Sequence, residues 1–422
     1  MILVEKHIID INHPYYMECD KLCFLSKNLY NYANYLVRQE FIKTSKLKEE
    51  GKVDHATYLN YNKIRKEVIK QIDYVSLPRK VSNQTLMLLD TNWTSFFAAN
   101  RDYRSNPSKY SGRPKLPKYK NPKTGRFIIM YEKGAISIKE LRNSIVKLSG
   151  TNIRISTKKE NITQCRIVPG NNQYTIEILY KVQDVEVKED NGRYCGIDLG
   201  VNNLATMVSN VEGFTPIIIN GKPLKSINQF FNKQTAKIKS ELEVRNKQKT
   251  SKKLRKLTNK RNNKVNDYLH NASRYIINHL ISNKINTLII GKNKNWKKEI
   301  NIGSVNNQNF VDIPHAKFID MLTYKCGLVG IKVVITEESY TSKCSFLDFE
   351  DLKKQENYVG KRVKRGLFIS KNGILINADV NGAYNILRKV FPNIFINGIE
   401  GLAVNPVVVS QKWGTTTKNS VV

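Results

Sequence analysis

The segment YCGIDLGVNNLAT at residues 194–206 constrains the fold most, because it places one carboxylate, Asp198, inside an apolar strand. The pattern predicts a strand, a turn rich in Gly and Asn, and a second strand, which together make a β-hairpin. A buried strand can bring an Asp to an active centre, where a metal ion keeps the carboxylate ionised. An Asp in a strand before a Gly is also common without any function, so this motif alone leaves both interpretations open.

A second acidic motif, DVNGA at residues 379–383, predicts a helix that begins at Asp379. Small residues lie on one side of this helix, so its backbone can pack closely on a sheet while the carboxylate points toward Asp198. The ordinary alternative is an aspartate that only caps the helix N-terminus. The presence of both motifs in this order favours a paired-carboxylate site.

The charge of the chain indicates a polyanionic partner. Its 422 residues contain 70 Lys and Arg against 36 Asp and Glu, a formal net charge of +34, and the cations are interleaved with apolar residues throughout. This distribution excludes a basic tail and favours nucleic-acid binding. No apolar run reaches the roughly 18 residues of a membrane span, and Glu5 and Lys6 interrupt the apolar N-terminus. We therefore expect a cytoplasmic protein without a membrane partner, and scattered cysteines suit a reducing compartment.

Three regions precede the first acidic motif. Leu and Tyr recur at helical spacing from Asp20 to Arg104, and GRPKLPKYK at 112–120 then predicts an extended basic loop, because proline forbids a helix. Short alternating runs between 127 and 187, among them AISI at 135–138 and YTIEI at 174–178, predict a small β domain. After an acidic linker at 184–190, alternating strands and helices predict an α/β domain that extends to the C-terminus.

Three short motifs resemble those of a known family. The strand GIDLG at 196–200, the turn YTSKC at 340–344 and the helix DVNGA at 379–383 are similar, in kind and order, to the first, linking and last nuclease motifs of TnpB proteins. TnpB proteins are transposon-encoded, RNA-guided DNA endonucleases related to the type V CRISPR effectors. The resemblance covers most of the chain, since the helical region, basic loop and β region lie where that family has its recognition lobe and wedge domain.

The resemblance implies a multidomain fold of the α/β plus α+β class. An RNase H-like (RuvC) nuclease domain would occupy residues 188–422, with a basic helical segment at 226–283 and a degenerate zinc-knuckle-like insertion at 344–375. Residues 1–187 would form a β wedge domain, at about 1–15 and 120–187, with a helical recognition lobe inserted at about 16–119.

The resemblance also implies a reaction, its cofactors and its partners. The family hydrolyses DNA phosphodiesters at a two-metal site, which predicts two Mg²⁺ ions, or Mn²⁺ in their place, and makes Asp198 and Asp379 two of the ligands. A guide RNA from the transposon end would bind the protein. Pairing of that RNA with target double-stranded DNA would supply most of the specificity.

The third carboxylate departs from the family pattern. TnpB proteins usually end their fourth strand with a Glu, whereas TLIIGKN at 287–293 has Gly291 there. The next apolar strand ends in Glu337 and Glu338, and the carboxyl ends of neighbouring parallel strands face the same crevice. We therefore expect one of these glutamates to replace the missing ligand. Strand alternation sends them to opposite faces, and the sequence does not distinguish them. The alternative is that both are surface charges.

A second departure concerns the zinc knuckle that many relatives carry. Cys344 has no partner cysteine in the insertion, so we expect no structural zinc. Cations in four segments, together with Trp296, are candidate nucleic-acid contacts. The basic helical segment could also be a solvated face, and the segment at 291–298 a surface loop with Trp296 anchored in the core. In chain order the candidates are Arg113, Lys115, Lys118, Lys120, Lys252, Lys253, Arg255, Lys292, Lys294, Trp296, Lys297, Lys361, Arg362 and Arg365.

Three functions are compatible with these features. The first is an RNA-guided DNA endonuclease, for which the acidic motifs supply the catalytic carboxylates. The second is a nuclease-inactive, RNA-guided DNA-binding protein that acts as a repressor, and the Gly291 departure supports it. The third is an accessory transposition protein that acts on DNA ends, for which the sequence shows no separate end-binding helix-turn-helix.

Overall fold

A computed structural model of the chain describes residues 1–246, 249–293, 313–364, 366–396 and 404–410. The chain divides into two units, Met1–Gln183 and Asp184–Val422, and each unit has its own buried apolar core. Both acidic motifs belong to the second unit. Within the described ranges, no helix is both long enough and apolar enough to cross a membrane.

The sheet of the first unit joins the beginning of that unit to its end. The strands of this unit are β1 (Ile2–Ile9), β2 (Ile129–Glu132), β3 (Ile145–Lys147), β4 (Arg154–Ser156), β5 (Ile162–Pro169) and β6 (Tyr174–Lys181). Four of them form an antiparallel sheet in the order β1-β6-β5-β2, and β3 pairs separately with β4. The first strand of the chain therefore pairs with the last strand of the unit.

Most helices of the first unit lie in the chain between β1 and β2. The helices are α1 (Tyr16–Glu49), α2 (Tyr61–Val68), α3 (Ile72–Val75), α4 (Arg79–Ser105) and, further along, α5 (Ile138–Leu141). Trp93 of α4 is fully buried, and its indole N–H donates to Asn34 Oδ1 of α1 at 3.0 Å. This hydrogen bond satisfies the polar atom of a side chain that otherwise contributes apolar surface to the core.

The strand predicted at residues 135–138 is wrong. Residues Lys133–Ala135 form a 3-10 turn, and the chain then enters α5. The Ser137 hydroxyl accepts the backbone N–H of Glu140 at 3.4 Å and so caps this short helix. A local side-chain hydrogen bond therefore overrides the alternating apolar pattern.

The basic loop is held against α1 through its backbone. The side-chain amides of Asn31 and Asn34 donate to the carbonyl oxygens of Lys120 and Pro117 at 2.8 and 3.1 Å. Asn31 Oδ1 also accepts the N–H of Lys120 at 2.8 Å. Because these contacts use backbone groups, the loop remains extended with most of its cations facing solvent. The exposed cations are Arg113, Lys115 and Lys118.

The second unit is built on a mixed sheet. Its strands are β7 (Tyr194–Leu199), β8 (Asn203–Ser209), β9 (Ile217–Asn220), β10 (Thr287–Gly291), β11 (Lys332–Thr336) and β15 (Val407–Val409), and a smaller sheet contains β12 (Lys361–Lys364), β13 (Leu367–Ile369) and β14 (Leu375–Asn377). The helices are α6 (Lys222–Asn246), α7 (Lys252–Ser282), α8 (His315–Gly327) and α9 (Ala378–Val390). The basic helical segment is therefore two helices, and Ser251 caps the second by accepting the Leu254 N–H at 3.1 Å.

The large sheet brings three strand ends to one edge. Its order is β11-β10-β7-β8-β9-β15; β7, β8 and β9 are antiparallel, whereas β10 runs parallel to both β7 and β11. The carboxyl ends of β7, β10 and β11 therefore open on the same crevice. Side chains of α7 and α8 share one core cluster with the sheet, and side chains of α9 share another.

Two glycines allow α9 to lie directly against β7. A Cβ atom on Gly196 of β7 would be 2.7 Å from Leu387 Cγ and 2.8 Å from the Ala383 carbonyl oxygen. A Cβ atom on Gly382 of α9 would be 2.9 Å from Asp198 Oδ2. All three distances are too short for real Cβ contacts, so any larger residue would push the helix away from the strand.

We predict that Gly196→Ala lowers the free energy of unfolding by about 1–3 kcal/mol, because the new methyl group meets the backbone of α9. Chemical denaturation measured by circular dichroism would test this. Gly112→Ala is a matched control, since a Cβ atom there would meet nothing within 4 Å. Equal stability of the two variants would contradict the close approach.

Candidate active site

Asp198 lies near the carboxyl end of β7 and faces α9. The residue remains partly accessible, and its Oδ2 atom lies 2.9 Å from the position that a Cβ atom on Gly382 of α9 would take. Burial raises the pKa of Asp198 well above its usual range, and the carboxylates of Glu338 and Asp379 raise it further, while Arg362 opposes them. Asp198 is thus the centre of a group of interacting acids.

Asp379 belongs to the first turn of α9, but it is not the residue that caps the helix. The cap is Asn377, whose side-chain oxygen accepts the N–H groups of Asp379 and Val380 at 3.0 and 3.2 Å. The capping alternative for Asp379 is therefore wrong. Its carboxylate instead accepts a short hydrogen bond from the Asn203 side-chain amide. Arg362 Nη2 of β12 lies 3.7 Å from Asp379 Oδ1.

Gly291 and Asp198 occupy neighbouring positions on paired strands. The strands β7 and β10 are parallel with Ile290 opposite Ile197, and the next residues along them are Gly291 and Asp198. Side chains at neighbouring positions of parallel strands point to the same face. A side chain at position 291 would therefore project beside the Asp198 carboxylate.

Glu338 fills the space in front of Gly291. Its Oε2 atom is 2.8 Å from the position that a Cβ atom on Gly291 would take. Oε1 accepts a hydrogen bond from Asn293 Nδ2 at 3.0 Å, whereas Oε2 is buried and has no partner among the residues that the structure describes. Burial and the nearby Glu337 raise the pKa of Glu338 to about 7, against a smaller opposite effect of Lys389.

Glu337 points away from this group. Its Oε2 atom is 3.0 Å from Lys389 Nζ and accepts the Ser339 hydroxyl at 2.6 Å on the protein surface. The hydrogen bonds from Ser339 and Lys389 lower the pKa of Glu337. The two glutamates therefore face opposite sides, and Glu338 is the one on the side of Asp198. Both follow Thr336, the last residue of β11, so their separation comes from the turn after the strand and not from alternation within it.

The chemistry of these side chains fits divalent cations that prefer oxygen ligands. The carboxylates of Glu338 and Asp379 both repel that of Asp198, and one buried oxygen, Glu338 Oε2, is left without a donor in the described part of the chain. In the same ranges, no three His, Cys, Asp or Glu side chains are close enough to hold a metal ion unaided. Mg²⁺ typically takes one or two carboxylates and completes its shell with water and substrate phosphates. Asp198, Glu338 and Asp379 suit this mode.

The candidate nucleic-acid contacts lie in several environments. Lys120 is half-buried, with Nζ 5.2 Å from the ring centre of Tyr30 and 5.0 Å from that of Phe127, so it stabilises its own loop. Other candidates are exposed on the first turn of α7, after β10 and on β12. These exposed candidates are Lys252, Lys253, Arg255, Lys292, Lys361 and Arg362. Lys294, Trp296, Lys297 and Arg365 lie outside the described residues.

The sequence analysis did not predict the asparagine side chains that make hydrogen bonds in and near this site. Asn203 contacts Asp379, Asn293 contacts Glu338, and fully buried Asn381 and Asn385 of α9 donate to the carbonyl oxygen of Cys344 at 2.9 and 2.8 Å. A signal was present for Asn293, which follows the end of β10 by two residues. Neutral amides are common in loops, however, and only the fold brings them to the carboxylates.

Comparisons with known proteins agree with the motifs. The model of the OrfB_IS605 family, described as a probable transposase, matches residues 177–297, and that of the Cas12f1-like TNB domain matches residues 315–386. The TnpB-like protein ORF457 of Acidianus two-tailed virus is 24% identical over 410 residues, covering 87% of this chain and 82% of that protein. These matches confirm the resemblance to the TnpB family.

Two solved structures are similar over most of their length. A Cas12f1 complex with sgRNA and target DNA is 16% identical with a TM-score of 0.35, and the match covers 91% of this chain and 98% of that one. The mini-RNA-guided endonuclease CRISPR-Cas_phi3 is 11% identical with a TM-score of 0.38, covering 96% and 94%.

We predict that Asp198→Asn raises the melting temperature of the metal-free protein by roughly 2–4 °C, about 1 kcal/mol for a unit of this size, because it removes one of three repelling carboxylates. Differential scanning calorimetry in EDTA would measure the change. Asp190→Asn is the control, because Asp190 instead accepts hydrogen bonds from Gly192 and Tyr194 at 2.9 and 2.8 Å. A lower melting temperature for Asp198→Asn would contradict the mutual repulsion.

Proposed function

We propose that this chain is an RNA-guided DNA endonuclease of transposon origin, in which the second unit is an RNase H-like nuclease domain. The observation that carries the proposal is the position of Glu338. Its carboxylate fills the space in front of Gly291, beside Asp198, where the family usually has a glutamate side chain. The acid that the sequence lacks at residue 291 is thereby supplied by residue 338.

The topology of the second unit supports this proposal. Three antiparallel strands, β7 to β9, are followed by β10 and β11 on the other side of β7, and α9 packs on the central strand. This arrangement directs a carboxylate from β7, one from the end of β11 and one from α9 into a single crevice. Catalytic carboxylates that bind two metal ions need such a convergence.

The residues of the site have separate tasks in this proposal. Asp198, Glu338 and Asp379 would hold two Mg²⁺ ions, or Mn²⁺ in their place, and such ions would supply an activated water and stabilise the leaving oxygen. Asn203 fixes the orientation of Asp379 by donating a hydrogen bond to its carboxylate. Arg362, at the rim, contributes positive charge for a DNA phosphate.

The charge of the chain supports nucleic-acid partners. We propose that a guide RNA from the transposon end binds the protein and that its pairing with target double-stranded DNA selects the cleavage site. A net charge of +34 offsets the repulsion between such strands. The exposed cations of the basic loop and of α7 are the proposed contacts with phosphates.

The second candidate function is a nuclease-inactive, RNA-guided repressor, because residue 291 is a glycine and supplies no carboxylate. If Glu338 does not bind metal, the protein retains its guide and DNA contacts but cannot cut, and it acts as an RNA-guided repressor. The two functions differ in one measurable respect, since only the nuclease depends on Glu338. Joining of transposon ends, rather than cutting at guide-matched sites, would instead indicate the accessory transposition protein.

We predict that Asp198→Ala, Glu338→Gln and Asp379→Ala each abolish Mg²⁺-dependent cleavage, because each removes a metal ligand, while Glu337→Gln cleaves like the unaltered protein. The test co-expresses the chain with its transposon end, purifies the ribonucleoprotein and assays a matched DNA library. Guide-dependent DNA binding should be the same in all variants. Binding without cleavage by the unaltered protein would overturn the nuclease proposal in favour of the repressor.

A relocated carboxylate gives a further prediction. Gly291→Glu combined with Glu338→Ala should restore measurable cleavage, because the new side chain projects into the space that Glu338 leaves and only the end of the flexible Ile386 side chain must still shift. Gly291→Ala alone should impair cleavage, because its Cβ atom would collide with Glu338 Oε2 and with Ile386 Cδ1, at 2.8 and 2.6 Å. The same cleavage assay measures both variants. An inactive double variant that still binds DNA would argue against equivalence of the two positions.

A further inference from the structure

Asn293 makes two hydrogen bonds with the same residue, Glu338. Its Oδ1 atom accepts the backbone N–H of Glu338 at 3.2 Å, and its Nδ2 atom donates to Glu338 Oε1 at 3.0 Å. One amide side chain therefore holds both the backbone and the carboxylate of the displaced glutamate. Such a two-point contact restricts the side-chain torsions as well as the position of the residue.

This contact also divides the tasks of the two carboxylate oxygens. Because the Asn293 amide donates to Oε1, that oxygen is occupied by a neutral group from the protein. Oε2 is buried without a partner in the described ranges and lies in front of Gly291. The geometry leaves one oxygen available for a cation on the side of Asp198.

A glutamate beyond the end of a strand needs this support. The ladder between β10 and β11 continues to the Lys292 N–H, which donates to the Thr336 carbonyl oxygen at 2.8 Å, and Glu338 follows in the turn. The sheet therefore does not orient Glu338 as it would orient a side chain within β10. Residues that bind metals lose affinity when their orientation is not fixed by neighbouring hydrogen bonds.

The backbone of Glu338 is anchored from the opposite side as well. Its carbonyl oxygen accepts the hydroxyl of Thr341 at 2.8 Å, and the carbonyl oxygen of Thr341 in turn accepts Asn385 Nδ2 of α9 at 2.9 Å. Asn385 is fully buried in the helix that carries Asp379. The turn with Glu338 is thus tied both to the end of β10 and to α9.

We propose that Asn293 is a positioning residue for catalysis: it orients Glu338 so that Oε2 faces the metal site, and it compensates for the loss of a strand-borne glutamate at residue 291. This inference rests on the proposed nuclease function. It adds a residue that acts through Glu338 and does not itself contact metal or DNA.

The test compares Asn293→Ala with Asn286→Ala in the full ribonucleoprotein. Asn286 is a matched control, because it precedes the other end of β10, is similarly half-buried and donates one hydrogen bond to the Glu189 carbonyl oxygen at 2.8 Å. Asn293→Ala should raise the Mg²⁺ concentration for half-maximal cleavage by about 10–100-fold, as expected for loss of a hydrogen bond that orients a ligand. Asn286→Ala should not change it.

A readout independent of cleavage is the thermal shift that Mg²⁺ produces in the ribonucleoprotein. Its midpoint concentration should move in parallel for Asn293→Ala, while the melting temperature in EDTA and the affinity for matched DNA stay unchanged. Asn293→Ala should have no further effect in a Glu338→Ala background, because it acts through that residue.

Failure of the proposed nuclease function and failure of the positioning role of Asn293 would give different results. If the unaltered protein does not cut matched DNA, the proposed nuclease function fails. If it cuts and requires Glu338, but Asn293→Ala has the same Mg²⁺ midpoint as Asn286→Ala, only the positioning role is overturned. A lower melting temperature of Asn293→Ala in EDTA, without a change in the Mg²⁺ midpoint, would likewise reduce Asn293 to a structural residue.

Discussion

The close packing of α9 on β7 is the contact on which the second unit depends. Gly196 and Gly382 leave no side chain between helix and strand, so Asp379 and Asp198 come near enough for their charges to interact. The same closeness is unfavourable, because neighbouring carboxylates repel one another. The stability of the packing thus holds together groups that repel one another, a compromise common at functional sites.

Glu338 illustrates that residues at different positions in the chain can bring a side chain to the same point of the crevice. The parallel pairing of β10 with β11 lets residues beyond either strand reach the same point, so the carboxylate of Glu338 lies where a side chain at Gly291 would begin. Glu338 lies beyond the ladder between β10 and β11, and hydrogen bonds with Asn293 and Thr341 hold it there.

The insertion at 344–375 is connected to the same crevice by polar contacts. The buried carboxylate of Glu350 accepts the N–H groups of Ser345 and Val359 at 2.7 and 2.9 Å, which joins two distant parts of the insertion. Asn381 of α9 accepts the Phe346 N–H at 2.8 Å. Charged hydrogen bonds to backbone groups are strong when buried, so this network can order a small segment with little core. It also holds β12, and with it Arg362, near Asp379.

The sequence by itself determined the two acidic motifs and the basic loop, because strand and helix periodicity and proline are local properties. It could not select Glu338, identify Asn377 as the cap of α9 or find Asn203 and Asn293. Those assignments depend on which strands pair and how near a helix lies to them. Only the tertiary structure decided them, since burial and hydrogen-bond partners come from residues that are far apart in the chain.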